Sequence, residues 1–173
     1  MSETLITVVA IALAAVLMFV FPLMTMSDRT DDVSKLTVET ATTEFVDEIR
    51  TTGKITPDKY SKFIENIGST GNTYDVEMEV KVKDENPGKK TTQTAKDKIG
   101  ENVYYSVYTS QIEEKLNANQ DYKLKEGDIV SVDVKNTNQT LSQQLKNFFY
   151  SVVGKDTYTI AASHAGIVTA TGK

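Results

Sequence analysis

The feature that most limits this chain is a greasy stretch near its start. From Leu5 to Met26 there are 22 residues, none charged, and only Thr7, Pro22 and Thr25 are not apolar. As a helix it rises about 33 Å at 1.5 Å per residue, enough for a hydrocarbon core of ~30 Å. In lipid every backbone N–H and C=O needs a partner within the segment, so a spanning stretch is helical. The rival is a cleaved secretory signal, with a basic start, a shorter apolar core and small residues at the cut. Here Met-Ser-Glu-Thr precedes the run without Lys or Arg, and bulky Phe19, Phe21, Met24 and Met26 fill its far end. Residues 1–27 are therefore expected to persist as a transmembrane anchor helix, leaving 28–173 as the folded domain.

The rest of the composition narrows the chemistry. There is no Cys and only one His, and the formal charge is −5 from 19 Lys+Arg and 24 Asp+Glu. Without Cys there is no disulfide frame, thiol nucleophile or Cys-based zinc site. A lone imidazole leaves little for acid–base work or a histidine metal site. An acidic chain without a basic run does not suit nucleic acid, whose phosphates call for clustered positive charge. For orientation, Arg29 and Lys35 after the run would hold the domain in the cytoplasm. Asp28, Asp31 and Asp32 offset them, and large domains translocate largely regardless of charge. A domain rich in Thr and free of Cys suits an exposed, oxidising side, so an extracellular domain is expected.

Helical spacing continues past the run. Val33, Leu36, Ala41, Phe45 and Ile49, with Val38 and Val46 beside them, form one apolar stripe among polar residues. Gly53 is a stop and Arg50 a favourable cation in the last turn. Residues 28–53 thus read as a helical extension of the anchor, a rod of ~75 Å over residues 4–52 that Pro22 would bend. Thr56 and Pro57 begin a second helix with Tyr60, Phe63, Ile64 and Ile67 on one face, ending at Gly68. Tyr74–Lys83 alternates as a half-buried antiparallel strand. Asp84–Lys98 reads as a long exposed loop with room for a second hairpin arm around Lys90–Ala95. Val103–Tyr108 is a strand or a helix start, and Ile112 and Leu116 continue at helical spacing. Lys125–Asp128 is a turn and Ile129–Val134 a strand. Thr140 caps a helix with Leu141, Leu145, Phe148, Phe149 and Val152 on its apolar face, stopped by Gly154. Tyr158–Val168 is a last strand with small residues at Ala161, Ala162, Ala165 and Gly166. The fold expected is α+β: a long transmembrane helix running into an amphipathic one, then a small antiparallel sheet with helices packed on one face.

Few residues invite chemistry. His164 follows Ser163, but neighbours on a strand face opposite ways, so a surface or edge histidine is expected. Asp28/Asp31/Asp32 and Glu113/Glu114 lack the alternating ligands and Gly of a calcium loop and read as solvated faces. Gly88 and Gly100 fit no phosphate-binding pattern. Tyr104, Tyr105 and Tyr108 read as core and cross-strand packing, not a stacking platform. Asn138-Gln139-Thr140 matches a glycosylation acceptor, although Thr140 suits a helix cap. No catalytic, cofactor or metal residue is expected, and the chain is read as a non-enzyme. The amphipathic stripe can be buried against the chain's own domain or against the same helix of a neighbour. Glu3, an acid at the head of a chargeless span, sits at the interface or pairs with a neighbour's α-amino group.

With Glu3, the Pro22-containing apolar helix, its polar extension to Thr52 and an α+β remainder, the layout resembles a type IV pilin or pseudopilin. More narrowly, the stretches Thr43–Thr56 (TEFVDEIRTTGKIT) and Ala161–Gly172 resemble TadE-like proteins of tight-adherence pilus systems and their Gram-positive relatives. The resemblance implies a structural subunit of a surface pilus or secretion apparatus, and, without a basic leader, an unprocessed accessory component. Its partners would be the lipid bilayer and copies of itself or other pilin-like subunits, with assembly contacts at Glu3, Pro22, Leu36, Phe45 and Ile49. The alternative is a tethered extracytoplasmic module that binds a peptide, lipid or cell-wall ligand.

Overall fold

A computed structural model describes residues 2–84, 104–150 and 159–173, and the side chains of all these except 2 and 148–150. The expected loop beyond Asp84, its arm at Lys90–Ala95, both Gly88 and Gly100, and the expectations for Val103, Val152, Gly154 and Tyr158 fall outside the described residues. The described elements are α1 (Ser2–Thr52), β1 (Lys54–Ile55), α2 (Pro57–Gly68), β2 (Tyr74–Lys83), β3 (Tyr104–Tyr108), α3 (Thr109–Asn117), β4 (Tyr122–Lys123), β5 (Ile129–Asn136), α4 (Leu141–Tyr150) and β6 (Ala161–Ile167).

The fold is α+β. A four-stranded antiparallel sheet runs in the order β3-β2-β5-β6, and β1 and β4 form a separate antiparallel pair. That small second sheet was not expected, because two-residue strands carry no periodicity to read. β3 and α3 settle the ambiguity after Val103: the strand ends at Tyr108 and the helix starts at the next residue. The joint is held by Thr109, whose hydroxyl accepts from the Met78 N–H at 2.6 Å.

One sheet face is apolar. Val76, Met78 and Val80 of β2 stand beside Val130, Val132 and Val134 of β5 and Ala162 of β6, all buried. The second half of α1 lies on this face through Val38, Ala41, Phe45, Val46 and Ile49. Each large apolar side chain removed from water there contributes about 1.5–3 kcal/mol. α2 packs against α1, with Phe63 stacked on Phe45 at 4.4 Å between ring centroids. α2 is capped as expected: the Thr56 hydroxyl accepts from the Lys59 N–H at 3.3 Å and Pro57 sits at the first position. The small residues of β6 have a packing reason, since a Cβ on Gly166 would run into the Arg50 side chain that crosses the strand.

The end of α1 is locked by backbone contacts. Gly53 takes φ +67°, the left-handed stop expected there. Its carbonyl accepts from Leu124 N–H at 2.8 Å, and the Leu124 carbonyl accepts from Gly172 N–H at 2.9 Å. The Arg50 carbonyl accepts from Thr169 N–H at 2.9 Å. A Cβ on Gly53 would collide with the backbone of Ala170 and Gly172. Gly71 has a similar φ of +77° but open space around it. Gly71→Ala should therefore lose only the ~1–2 kcal/mol of left-handed strain. Gly53→Ala should lose that and more, because fixed backbone cannot move aside. Urea unfolding of the two variants checks this, and equal losses would contradict the packing described.

Candidate functional site: the junction of the long helix and the head

α1 is a single helix whose two halves face different surroundings. Its first half is long and apolar enough, by length and composition, to cross a membrane, and its side chains are almost all exposed. Thr7 and Thr25 turn their hydroxyls back onto the carbonyls of Glu3 and Phe21, at 2.9 and 3.1 Å. The polar groups of these side chains are thus satisfied within the helix.

From residue 27 on, one face of α1 is covered by the head. The buried positions are Ser27, Asp31, Ser34, Val38, Ala41, Thr42, Phe45, Val46 and Ile49. Steps of three and four make this one continuous seam. It corrects the expected stripe at its start: Val33 and Leu36 are 64% and 63% exposed, on the side away from the head. An apolar count skips Ser27, Asp31 and Ser34, so the eye is drawn to the nearest apolar residues on another face.

The polar start of the seam meets the N-terminus of α4. Thr140 caps that helix in a capping box: its hydroxyl accepts from Gln143 N–H at 3.2 Å, and the Gln143 side chain accepts from Thr140 N–H at 3.0 Å. The same hydroxyl donates to Asp31 Oδ2 at 2.7 Å. Asp28 accepts from the Ser142 hydroxyl and pairs with Lys146 at 2.6 Å. Both carboxylates thus sit at the positive end of the α4 dipole. The hydrogen bonds from Lys146 and Ser142 hold Asp28 below the usual carboxylate range. Burial pushes Asp31 above it, only partly offset by the Thr140 hydrogen bond. The reading of this acidic group as solvated therefore fails for buried Asp31, holds for exposed Asp32, and holds in part for Asp28, which is partly exposed but paired. The signal available in the sequence was register: Ser27, Asp31, Ser34 and Val38 keep step with Phe45 and Ile49.

The other candidates fall as follows. Glu3 is exposed in the first turn of α1 and Pro22 is exposed inside the helix. Leu36 is exposed, whereas Phe45 and Ile49 are consumed by the head's own core and offer nothing to a neighbour. Glu113 is likewise not a free surface acid, since it accepts from the Tyr60 hydroxyl at 2.6 Å, tying α2 to α3. Burial and this acid raise the Tyr60 phenol above its ordinary value. Tyr104, Tyr105 and Tyr108 are exposed, correcting the core assignment: Tyr104 and Tyr108 stand on the open sheet face opposite Lys83 and Glu79, and Tyr105 is on edge strand β3. Thr140 is buried with its hydroxyl engaged, and Asn138 is bonded to Thr73 and Asn72, so this triplet is a cap in the folded head. His164 lies on edge strand β6 facing α1, 3.7 Å from Asp47, while Ser163 faces the opposite side. That opposite sheet face is open and carries Asp75, Glu77, Asp133 and Lys135 around a cleft of about 520 Å³. Among the described residues no three His, Cys, Asp or Glu are grouped to hold a metal. No protein-family model, curated protein or solved structure matches this chain.

The two aspartates predict opposite pH behaviour. A depressed carboxylate stabilises the fold above its unfolded value of 3.8, and that contribution is lost as pH falls through the lower folded value. A raised one has its stabilising effect below 3.8 and loses it as pH rises through the folded value. At neutral pH, Asp28→Asn should therefore destabilise by about 0.5–1 kcal/mol, since the pair is partly exposed. Asp31→Asn keeps an acceptor for Thr140 and removes the buried charge, so it should leave stability unchanged or raised. Thermal unfolding near pH 7 and again near pH 3 checks both, and the Asp28→Asn loss should shrink at the lower pH.

Proposed function

We propose that this chain is a membrane-anchored, pilin-like structural subunit that acts by assembling with copies of itself or related subunits in a surface pilus or secretion apparatus. Residues 5–26 are the single transmembrane span and the α+β head stands on the extracytoplasmic side. One observation carries the reading: an apolar helix left almost wholly exposed by the described residues continues without a break into a helix packed along a small antiparallel sheet. A run of this hydropathy exposed to water would be an aggregation hazard, so it calls for lipid or for like helices. The back-bonded hydroxyls of Thr7 and Thr25 suit both surroundings, because neither leaves a bare donor in an apolar medium. The seam from residue 27 onward makes head and span one rigid piece, as a building block requires. The role proposed for Glu3 is at the interface or against a neighbour's α-amino group. Leu36 and Val33, exposed beyond the run, extend the helix–helix surface, and Phe45 and Ile49 serve the head alone.

The chain has no Cys, so a single introduced thiol reports unambiguously. Ala12→Cys and Val16→Cys, one turn apart on exposed positions, should give oxidant-dependent dimers in membranes of cells making the full chain with its native neighbours. Monomer alone at both positions would exclude assembly through this helix and leave a tethered binding head. Release of the protein from membranes by alkaline carbonate would exclude the span itself.

A further inference from the structure

Among the described side chains of α4, residues 141–147, the two most buried are polar. Ser142 and Gln143 are 1% and 6% exposed and Thr140 at the cap is buried, whereas Leu141 is 56% exposed and Leu145 only half-buried. Leu141 and Leu145 are one turn apart on the same face, and neither belongs to the head's apolar core. A surface helix of a globular domain does the reverse, turning its apolar stripe to the core.

The position of α4 gives this inversion a reason. Thr140 bonds to Asp31 and Ser142 to Asp28, so α4 descends along α1 toward the apolar run as the chain proceeds. Asp28 is only two residues, about 3 Å of helical rise, beyond Met26. Ser27 is already buried, and the same seam continues into the run at half-buried Met24 and Val20. No linker separates run and head.

We propose that α4 is an interfacial membrane helix whose outward face, carrying Leu141 and Leu145, lies in the boundary between lipid headgroups and acyl chains. This rests on the reading of residues 5–26 as a span. The occupant is the lipid surface because the Asp28 and Asp31 contacts put this face at the level where the run ends. Thr140 at the cap is used on Asp31 and Ser142 and Lys146 on Asp28, while exposed Gln144, beside Leu141 and Leu145, donates back to the Gln139 carbonyl at 3.4 Å. Exposed Arg29, on the other side of α1, stands at phosphate height. A helix with its apolar face sunk in the interface gains from buried apolar area, as peripheral amphipathic helices do. The head would then be held to the bilayer at two points, by α1 through it and by α4 on it, and its tilt would be set.

The test uses the full chain in phosphatidylcholine–phosphatidylglycerol vesicles, with an environment-sensitive fluorophore on one introduced thiol at a time. Ala12→Cys reports the span, Leu141→Cys reports α4, and Ile167→Cys, exposed on β6 beside Arg50, reports the distal head. The expected result is quenching of position 12 by deep nitroxide lipids. Position 141 should show blue-shifted emission and about threefold more quenching by shallow nitroxide lipids than position 167. If position 12 is quenched while 141 behaves like 167, α4 does not touch lipid and the inference is overturned with the span intact. If 141 is shielded only at high protein-to-lipid ratio, a second copy covers the face and the inference is again overturned. If position 12 is not quenched, the span reading fails and takes this inference with it.

Discussion

The structure depends on one helix being asked to do two things. α1 must remain helical over 51 residues while its surroundings change from none of the described residues to a sheet. The seam from Ser27 to Ile49 makes this work. Its upper part is ordinary hydrophobic packing, with Val38, Phe45, Val46 and Ile49 buried over Val130, Val132 and Val134. Helix and sheet shield one another, and neither half would keep its apolar face from water alone.

The lower part of the seam follows a different rule. Asp31 gains little net stability from being drawn into the interior, since desolvation outweighs its Thr140 hydrogen bond, and partly exposed Asp28 gains modestly from Ser142 and Lys146. What they supply is register. Two carboxylates one turn apart fit the cap of α4 in one placement only, with Thr140 on one and Ser142 and Lys146 on the other. Apolar side chains in the same place would pack in several registers and would extend the greasy run into the head. A polar clasp marks where the run stops and the head begins.

The C-terminal segment closes the other end of the seam. Thr169 and Gly172 bond to the last turn of α1 and to Leu124, and Gly53 and Gly172 are needed because no Cβ fits between the two backbones. β6 lies beneath, with Gly166 leaving room for Arg50. The helix is thus clamped near residues 28–31 and near 50–53, with its apolar packing between.

Much of this was legible in the residues alone. The chargeless run, the alternation of Tyr74–Lys83, the Thr56-Pro57 start of α2 and the Gly53 stop are local signals, since backbone preference and side-chain period act within a few residues. The stretch from Ala161 also announced its small residues. Other features depended on what lies opposite. Whether Leu36 or Ser34 faces the head is set by α4 and the sheet, not by the residue's own polarity. Tyr104 and Tyr108 look like core until register sets them on the open face opposite Lys83 and Glu79, and Tyr105 until β3 is known to be an edge. Asp31 looks solvated until Thr140, 109 positions away, is brought against it. The sequence by itself determined the helix, its apolar half and the α+β class, because period and composition are local. Only the tertiary structure decided which face of α1 is buried and that α4 begins with Ser142 and Gln143 inward and Leu141 outward, because burial is a relation between segments far apart in the chain.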